Sequence, residues 1–256
     1  MKNKFTILGC GSSLGSPWIT GHWGSCKPNI TKNERTRCSA HIQYNDLSIL
    51  IDTSPDIKFQ FKKNKIKNVD AVIYTHNHAD QTAGVFELRP FFWKNKKKIP
   101  IFGSSKTIKG LKAAYKYCFY PMFGYKPILK GNIIKNNFQV KIKKKRAKFK
   151  SFEVQHGKIK ATAYVFNKIA YISDCNFIDK KNLKYLKNLN YLILDCLRVA
   201  KHPSHFNYDD AIEFSMKIKP KRTILTNLHV DFDYNQLKAK LPKSFIPAYD
   251  GLSFNF

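Results

Sequence analysis

Tyr74-Thr75-His76-Asn77-His78-Ala79-Asp80-Gln81 is the stretch of this sequence that decides the fold. It follows a largely apolar run, residues 69–74, that is typical of a buried strand. Residues two apart in an extended segment point the same way, so His76, His78 and Asp80 converge at the strand's carboxyl end. Loops on a rigid scaffold usually carry functional side chains. The stretch therefore predicts a metal site, in which Gln81 is the unexpected residue.

Polar residues able to bind metal also follow three further predicted strands. They are His156, Asp174, Asn227 and His229. A single histidine after a strand is usually a structural hydrogen-bonding residue, but four such strand ends in one chain indicate metal binding. His76, His78 and His156 with a water would form an open catalytic site, and Asp174 could bridge to a second ion.

The chemistry of these ligands limits which ion they would hold. Neutral imidazole suits zinc, iron or manganese, and a carboxylate adds neutralising charge. A bound ion lowers the pKa of water toward ~7 and so provides a hydroxide nucleophile at neutral pH. We therefore expect one zinc ion (or manganese or iron) as cofactor, with a second divalent ion left open.

Composition indicates one soluble domain spanning residues 1–256. Its 43% hydrophobic content is near the globular norm, and no apolar run approaches the ~20 residues of a membrane span. The basic start is followed by too short an apolar segment for a signal peptide, so we expect a cytoplasmic protein without a membrane partner. The six scattered cysteines predict free thiols.

The charge of the chain is strongly positive, at +29. Such a balance usually suggests a nucleic-acid partner, but only six of the 46 basic residues are arginine, the side chain suited to bidentate phosphate recognition. A lysine-rich excess can reflect compositional drift. We expect a small anionic substrate, with nucleic acid as the less favoured partner and a homodimer as one possible assembly.

Strand and helix patterns alternate along the chain, which favours an α/β (α+β) fold. Residues 39–44 and 47–52 predict a hairpin around Asn45-Asp46. Residues 83–92 predict a helix or helical turn, and residues 105–117 predict a helix with Ser105 as its cap. Asn207 is expected to cap a helix that ends at residue 218.

The stretch from Thr75 to Gln81 resembles the THxHxDH signature of the metallo-β-lactamase-fold hydrolases. Several other stretches resemble the subgroup that contains the phosphoribosyl 1,2-cyclic phosphate phosphodiesterases. They are residues 8–13, 23–29, 37–39, 84–89, 195–198, 202–206 and 248–251. The resemblance implies a four-layer αββα sandwich with metals at one edge of its two sheets.

The resemblance also implies two ligand sets, and this sequence departs from one of them. The first ion is held by the residues matching His76, His78 and His156, with Asp174 bridging. The second is held by Asp80 and two histidines, whose positions fall here on the amides Gln81 and Asn227.

Three outcomes of this departure are open. The protein could work with one ion, and Asp80 would then act as base or orient the water. It could bind a harder second ion, because amide oxygens suit Mg²⁺, Ca²⁺ or Mn²⁺ better than zinc. It could also be a weakened member that mainly binds ligand. His229 is a further candidate to replace Asn227.

His205 matches a family histidine that faces the substrate, which implies a general acid; a structural role beside Asn207 is the alternative. The expected function is metal-dependent hydrolysis of a small cyclic or nucleotide-like phosphoester through a metal-bound hydroxide. A nuclease of the tRNA-processing type is the second enzymatic hypothesis.

Overall fold

Two seven-stranded sheets form the centre of the fold. The computed structural model describes residues 3–256. One sheet has the order β14-β1-β2-β3-β4-β5-β6 and the other β13-β12-β11-β10-β9-β8-β7. The strands are β1 (Lys4–Gly9), β2 (Ser39–Tyr44), β3 (Leu47–Ile51), β4 (Ala71–Ile73), β5 (Ile99–Gly103), β6 (Leu129–Ile133), β7 (Asn137–Ile142), β8 (Lys145–His156), β9 (Ile159–Phe166), β10 (Ile169–Ile172), β11 (Tyr191–Asp195), β12 (Arg222–Thr226), β13 (Phe245–Pro247) and β14 (Ser253–Asn255).

Helices cover the outer faces of both sheets. The α-helices are α1 (Ile57–Asn64), α2 (Ala79–Thr82), α3 (Arg89–Asn95), α4 (Ser105–Ala114), α5 (Lys116–Phe119), α6 (Tyr208–Ile218) and α7 (Tyr234–Lys240), and 3-10 turns lie at Thr31–Asn33, Ala83–Leu88 and Lys180–Leu186. Among residues 3–256, no helix is long and apolar enough to cross a membrane.

Three apolar cores hold these four layers together. The middle core lies between the sheets and joins side chains such as Phe5 and Ile49 of one sheet to Tyr164 and Ile224 of the other. A second core packs the first sheet against α1 and α4, and a third packs the second sheet against α6 and α7. The expected αββα sandwich is confirmed.

Parallel pairing places several strand ends at one edge of the sandwich. β3 to β6 run parallel in the first sheet, and β10 to β13 run parallel in the second. Across this edge, Thr162 N–H donates to the Thr75 carbonyl at 2.9 Å and Tyr164 Oη donates to the Tyr74 carbonyl at 2.6 Å. These hydrogen bonds hold β9 of the second sheet against the segment of the first sheet that carries His76 and His78.

Local turns follow the sequence closely in some places and depart from it in others. The hairpin at Asn45-Asp46 forms, and both residues have positive φ, as a two-residue turn requires. The helix or helical turn predicted at 83–92 is a 3-10 turn followed by α3, which carries a proline in its first turn. Ser104, rather than Ser105, caps α4.

Candidate metal centre

Three histidines meet at the shared edge of the two sheets. His76 and His78 follow β4, and His156 ends β8. Their ring centroids are 4.5 Å, 5.1 Å and 5.2 Å apart. One nitrogen from each ring lies within 4.8 Å of the others, so side chains from both sheets face one point.

The orientation of His76 is fixed by a buried relay beneath it. Thr75 donates its N–H and its hydroxyl to the Asp52 carboxylate, each at 2.8 Å. Because the hydroxyl proton is used there, the Thr75 oxygen is left to accept from His76 Nδ1, 3.1 Å away. The Nε2 atom of His76 is buried without a hydrogen-bond partner and keeps its lone pair.

His156 is oriented by the backbone of the loop before α6. Its Nδ1 lies 2.8 Å from the Ser204 carbonyl, to which it must donate. Its Nε2 therefore carries a lone pair, and this atom is 3.4 Å from His78 Nδ1. A neutral His78 can donate from Nδ1 to this lone pair, or can offer a lone pair of its own at Nδ1 when a cation lies between the two nitrogens.

These three histidines fit a single divalent ion. The lone pairs at His76 Nε2 and His156 Nε2 are set by the hydrogen bond at the other ring nitrogen, which is how metal-ligating histidines are normally held. Burial also lowers the pKa of His76 to about 4 and lowers that of His78. Burial thus favours the neutral form of these two rings, which is the form that binds metal.

Two carboxylates and an amide lie beside the histidines. Asp174 accepts from the Ser173 hydroxyl at 2.6 Å, and its Oδ2 is 3.4 Å from Gln81 Nε2. The same nitrogen is 3.3 Å from Asp80 Oδ2. The Gln81 amide therefore donates to both carboxylates, while its Oε1 is buried without a partner.

The pKa values of Asp80 and Asp174 are shifted in opposite directions. Burial and the neighbouring Asp174 charge raise the pKa of Asp80. Burial also opposes ionisation of Asp174, but its three surrounding histidines outweigh that effect and lower its pKa. Asp174 is thus the more acidic of the two carboxylates.

The amide nitrogen of Asn227 faces the Asp195–His205 pair. Its Nδ2 donates to Asp195 Oδ1 at 3.0 Å and lies 3.1 Å from His205 Nδ1. The backbone of Asn227 has a positive φ of 62°, which asparagine tolerates better than most residues.

His205 and Asp195 form a second pair beside the histidine cluster. His205 Nδ1 is 2.7 Å from Asp195 Oδ2, and this carboxylate also accepts the Cys175 N–H at 2.8 Å. The His205 ring is 4.6 Å from that of His156. Burial lowers the pKa of His205, but the Asp195 and Asp174 carboxylates outweigh it and raise the pKa to about 9.

The structure brings most of the sequence-predicted residues to one place. His76, His78 and His156 form one potential ligand group, and His156, Asp174 and His205 form another. His229 belongs to neither group; its ring packs on Trp18 at 5.8 Å. Its replacement of Asn227 as a ligand stays a hypothesis without support from these contacts.

Sequence reasoning missed two residues of this site. Asp52 directly follows β3, and Asp195 ends β11. Both are fully buried carboxylates that orient a histidine. The signal that found Asp174, an acid at the end of an apolar strand, would have found them too.

Comparisons with known proteins agree with this architecture. The family described as the β-lactamase superfamily domain matches residues 48–227. The crystal structure of a diphosphatase from the PhnP family superimposes with a TM-score of 0.91 at 30% identity, over 100% of this chain and 98% of that one. Zinc-bound PqqB from Methylobacterium extorquens has the same fold, with a TM-score of 0.76 at 14% identity over 99% of this chain and 100% of that one.

A curated relative is longer than this chain. An octanoyltransferase from Porphyromonas gingivalis is 28% identical over 254 residues, which cover 96% of this chain and 50% of the relative. The chain thus spans about half the length of that relative. The superfamily match, the two-sheet sandwich and the PhnP-family likeness agree, and the chain therefore belongs to the β-lactamase superfamily, with a fold that resembles the PhnP family.

Proposed function

We propose that this protein is a metal-dependent hydrolase of a small cyclic or nucleotide-like phosphoester. The observation that carries the proposal is the set of three converging histidine nitrogens, two of them held as acceptors by hydrogen bonds at the opposite ring atom. Zinc is the ion we expect there, with manganese or iron as alternatives, because three imidazoles suit these ions.

When bound, such an ion makes water more acidic and offsets negative charge on a phosphoryl group. The residues of the chain have separate tasks around it. His76, His78 and His156 would hold the ion, and Asp174 adds the negative charge that balances it. Their positions on strand ends of two packed sheets keep this geometry rigid, which favours catalysis over loose binding.

His205 is the proposed proton donor to the leaving oxygen. Asp195 accepts from His205 Nδ1, which fixes the ring and leaves Nε2 available to donate. The His205 ring lies 4.6 Å from the His156 ring, which supports a role beside the histidine cluster. A donor held beside the reacting phosphorus can protonate an alkoxide as the P–O bond breaks.

Hydrolysis of bis-p-nitrophenyl phosphate tests the proposal. We expect metal-dependent release of p-nitrophenol by the wild-type protein and its loss in His76→Ala. His22→Ala, which removes an exposed histidine outside the cluster, is the matched control and should retain activity. Activity that persists in His76→Ala would contradict the proposed metal centre, and a wild-type protein inactive with every ion would favour a ligand-binding role.

The positive charge favours one further candidate, a nuclease of the tRNA-processing type. The net charge of +29 would attract a polyanion. Cleavage of a short RNA faster than bis-p-nitrophenyl phosphate would support this candidate over the small-molecule phosphodiesterase. The RNA-cleaving activity should then be lost in the same His76→Ala variant.

A further inference from the structure

We propose that the side-chain amide of Gln81 takes the place of the second metal ion, so that this centre holds one ion and Asp80 is free to act as a base. The inference rests on the proposed function, because it concerns the same site. It departs from the two-ion arrangement that the family resemblance implies.

The first observation is the position of Gln81 between two carboxylates. Its Nε2 lies 3.3 Å from Asp80 Oδ2 and 3.4 Å from Asp174 Oδ2. Carboxylates that lie this close repel each other unless a cation or N–H donors separate them. An amide NH₂ has two hydrogens, one for each carboxylate, so Gln81 supplies the positive end of a dipole where a cation would otherwise stand.

The second observation is that Gln81 is held firmly in this position. Its side chain is fully buried, and its backbone carbonyl accepts the Thr53 N–H at 2.8 Å. Rotating the amide by half a turn would place Oε1 against both carboxylates. That arrangement is more costly than the one observed, in which only Oε1 is left without a partner.

The third observation is that Asn227 is arranged in the same way. Its Nδ2 donates to Asp195 at 3.0 Å, so its nitrogen is also committed to a carboxylate. An amide nitrogen has no lone pair available for an ion. Both positions that the resemblance assigns to second-ion histidines therefore present N–H donors to acids. Only the amide oxygens are left as ligands there, and these do not fit a second zinc ion, which prefers imidazole.

The consequence concerns Asp80, whose Oδ2 accepts from Gln81 Nε2 and which is not needed as the ligand of a second ion. We infer that Asp80 accepts a proton from the attacking water while the water oxygen forms its bond to phosphorus. The P–O bond to the leaving group breaks, and His205 gives its Nε2 proton to the leaving oxygen. Gln81 acts only as a positioning residue, since it touches Asp80 and Asp174 and not the substrate.

Metal content separates this account from a two-ion centre. Protein stripped with a chelator is dialysed against zinc or manganese, and bound ions are counted by plasma mass spectrometry. We expect one ion per chain in the wild type. Gln81→Met, which removes both the NH₂ donor and the amide oxygen at similar size, should still bind one ion, whereas the double variant Gln81→His with Asn227→His should bind two.

Each result bears on the inference separately from the proposed function. Two ions in active wild-type protein would overturn the inference and leave the proposed hydrolase intact. Loss of an ion in Gln81→Met would show that Gln81 is a ligand and would also overturn it. No bound ion in the wild type would overturn both. Circular dichroism of each variant establishes that it is folded. Gln81→Glu provides a second variant of similar size. It should bind one more ion than the wild type, because it adds a third carboxylate to Asp80 and Asp174.

Discussion

The side chain that prepares His76 for a metal is the threonine next to it. Thr75 passes a hydrogen bond from His76 Nδ1 to the buried Asp52 carboxylate. Burial raises the pKa of Asp52, and the two hydrogen bonds from Thr75 oppose that rise. The relay therefore favours one tautomer of His76, with its lone pair on Nε2.

We expect Thr75→Val to weaken metal binding without removing a ligand. The valine side chain has the same shape as that of threonine but cannot accept from His76 Nδ1 or donate to Asp52, while the backbone N–H of residue 75 still donates to that carboxylate. Loss of such a supporting partner typically costs about 10- to 100-fold in metal affinity. A zinc competition titration with a chromogenic chelator measures the change. Thr6→Val, in a buried threonine of β1, is the control; an equal loss there would contradict the relay.

His205→Ala should slow hydrolysis most for substrates with poor leaving groups. A general acid contributes about 10²- to 10⁴-fold when the leaving oxygen needs a proton, but p-nitrophenolate leaves without one. We therefore expect a large fall in kcat for an alkyl phosphodiester and a small one for bis-p-nitrophenyl phosphate. Equal losses on both substrates would instead indicate that His205 holds the structure or the ion.

At this scale the sequence predicted the residues that converge on the candidate metal centre better than the residues that orient them. His76, His78, His156 and Asp174 were predicted because strand periodicity and the position of strand ends are local properties of a chain. The orientation of a side-chain amide depends on residues that are distant in the sequence, since Gln81 contacts Asp174, which lies 93 residues away. The contact between Gln81 Nε2 and Asp174 can be identified only from the structure in which the two sheets are packed together.

The element that carries His205 is the loop that leads into α6. Asn207 caps α6 through a reciprocal capping box with Asp210, and its Nδ2 also donates to the Val199 carbonyl at 3.1 Å. The His205 ring is thus positioned two residues before a fixed helix end. Packing of α6 on the second sheet transmits that rigidity to the site.

We expect Asn207→Ala to lower both stability and turnover. Loss of an N-cap costs about 1 kcal/mol of the free energy of unfolding, and the loop bearing His205 should become less ordered, which lowers kcat. Ser104→Ala removes the N-cap of α4 and is the matched control. Urea unfolding should show similar losses for the two variants, while only Asn207→Ala should reduce kcat; unchanged kcat in both would contradict the coupling.

Elements with a strong local pattern were predicted well, and those without one were not. The hairpin around Asn45-Asp46 and the capped helix that starts after Asn207 combine periodicity with turn or cap residues. The last elements, α7, β13 and β14, are only three to seven residues long. Short segments such as β13 form because β12 offers a free edge to pair with, which no local pattern reveals.

Across the whole molecule, buried histidines outside the site affect acid stability. Burial, with a smaller contribution from Lys4, lowers the pKa of His41 to about 4, and its Nε2 is 2.8 Å from the Ser48 hydroxyl. The unfolded chain takes up this proton near pH 6.5, whereas the folded chain resists it until about pH 4. Stability from this group is therefore present above pH 6.5 and is lost as the pH falls toward 4.

His41→Gln should reduce this acid sensitivity. Between pH 7 and pH 5 the wild-type protein should lose about 2 kcal/mol more of its free energy of unfolding than the variant does, by linkage. Glutamine retains a hydrogen-bond partner for Ser48 but does not titrate. Urea unfolding curves at the two pH values measure the difference, and parallel losses in both proteins would contradict a depressed His41 pKa.

The charge of +29 acts on the molecule as a whole. We expect weak, sequence-independent RNA binding that falls by orders of magnitude between about 0.05 and 0.2 M salt, with hydrolysis of a small phosphodiester much less affected. Filter binding and a p-nitrophenol assay over the same salt series compare the two. Salt-resistant, sequence-selective RNA binding would contradict this prediction and favour the nuclease candidate.

The most direct test of a one-ion phosphoester hydrolase is a titration of chelator-stripped protein with zinc or manganese, followed by hydrolysis of bis-p-nitrophenyl phosphate. The predicted rate rises with added ion and reaches its plateau at one equivalent per chain, and His76→Ala stays inactive throughout. A plateau that requires two equivalents would contradict the single-ion centre. Absence of hydrolysis at every ratio would contradict the proposed activity itself.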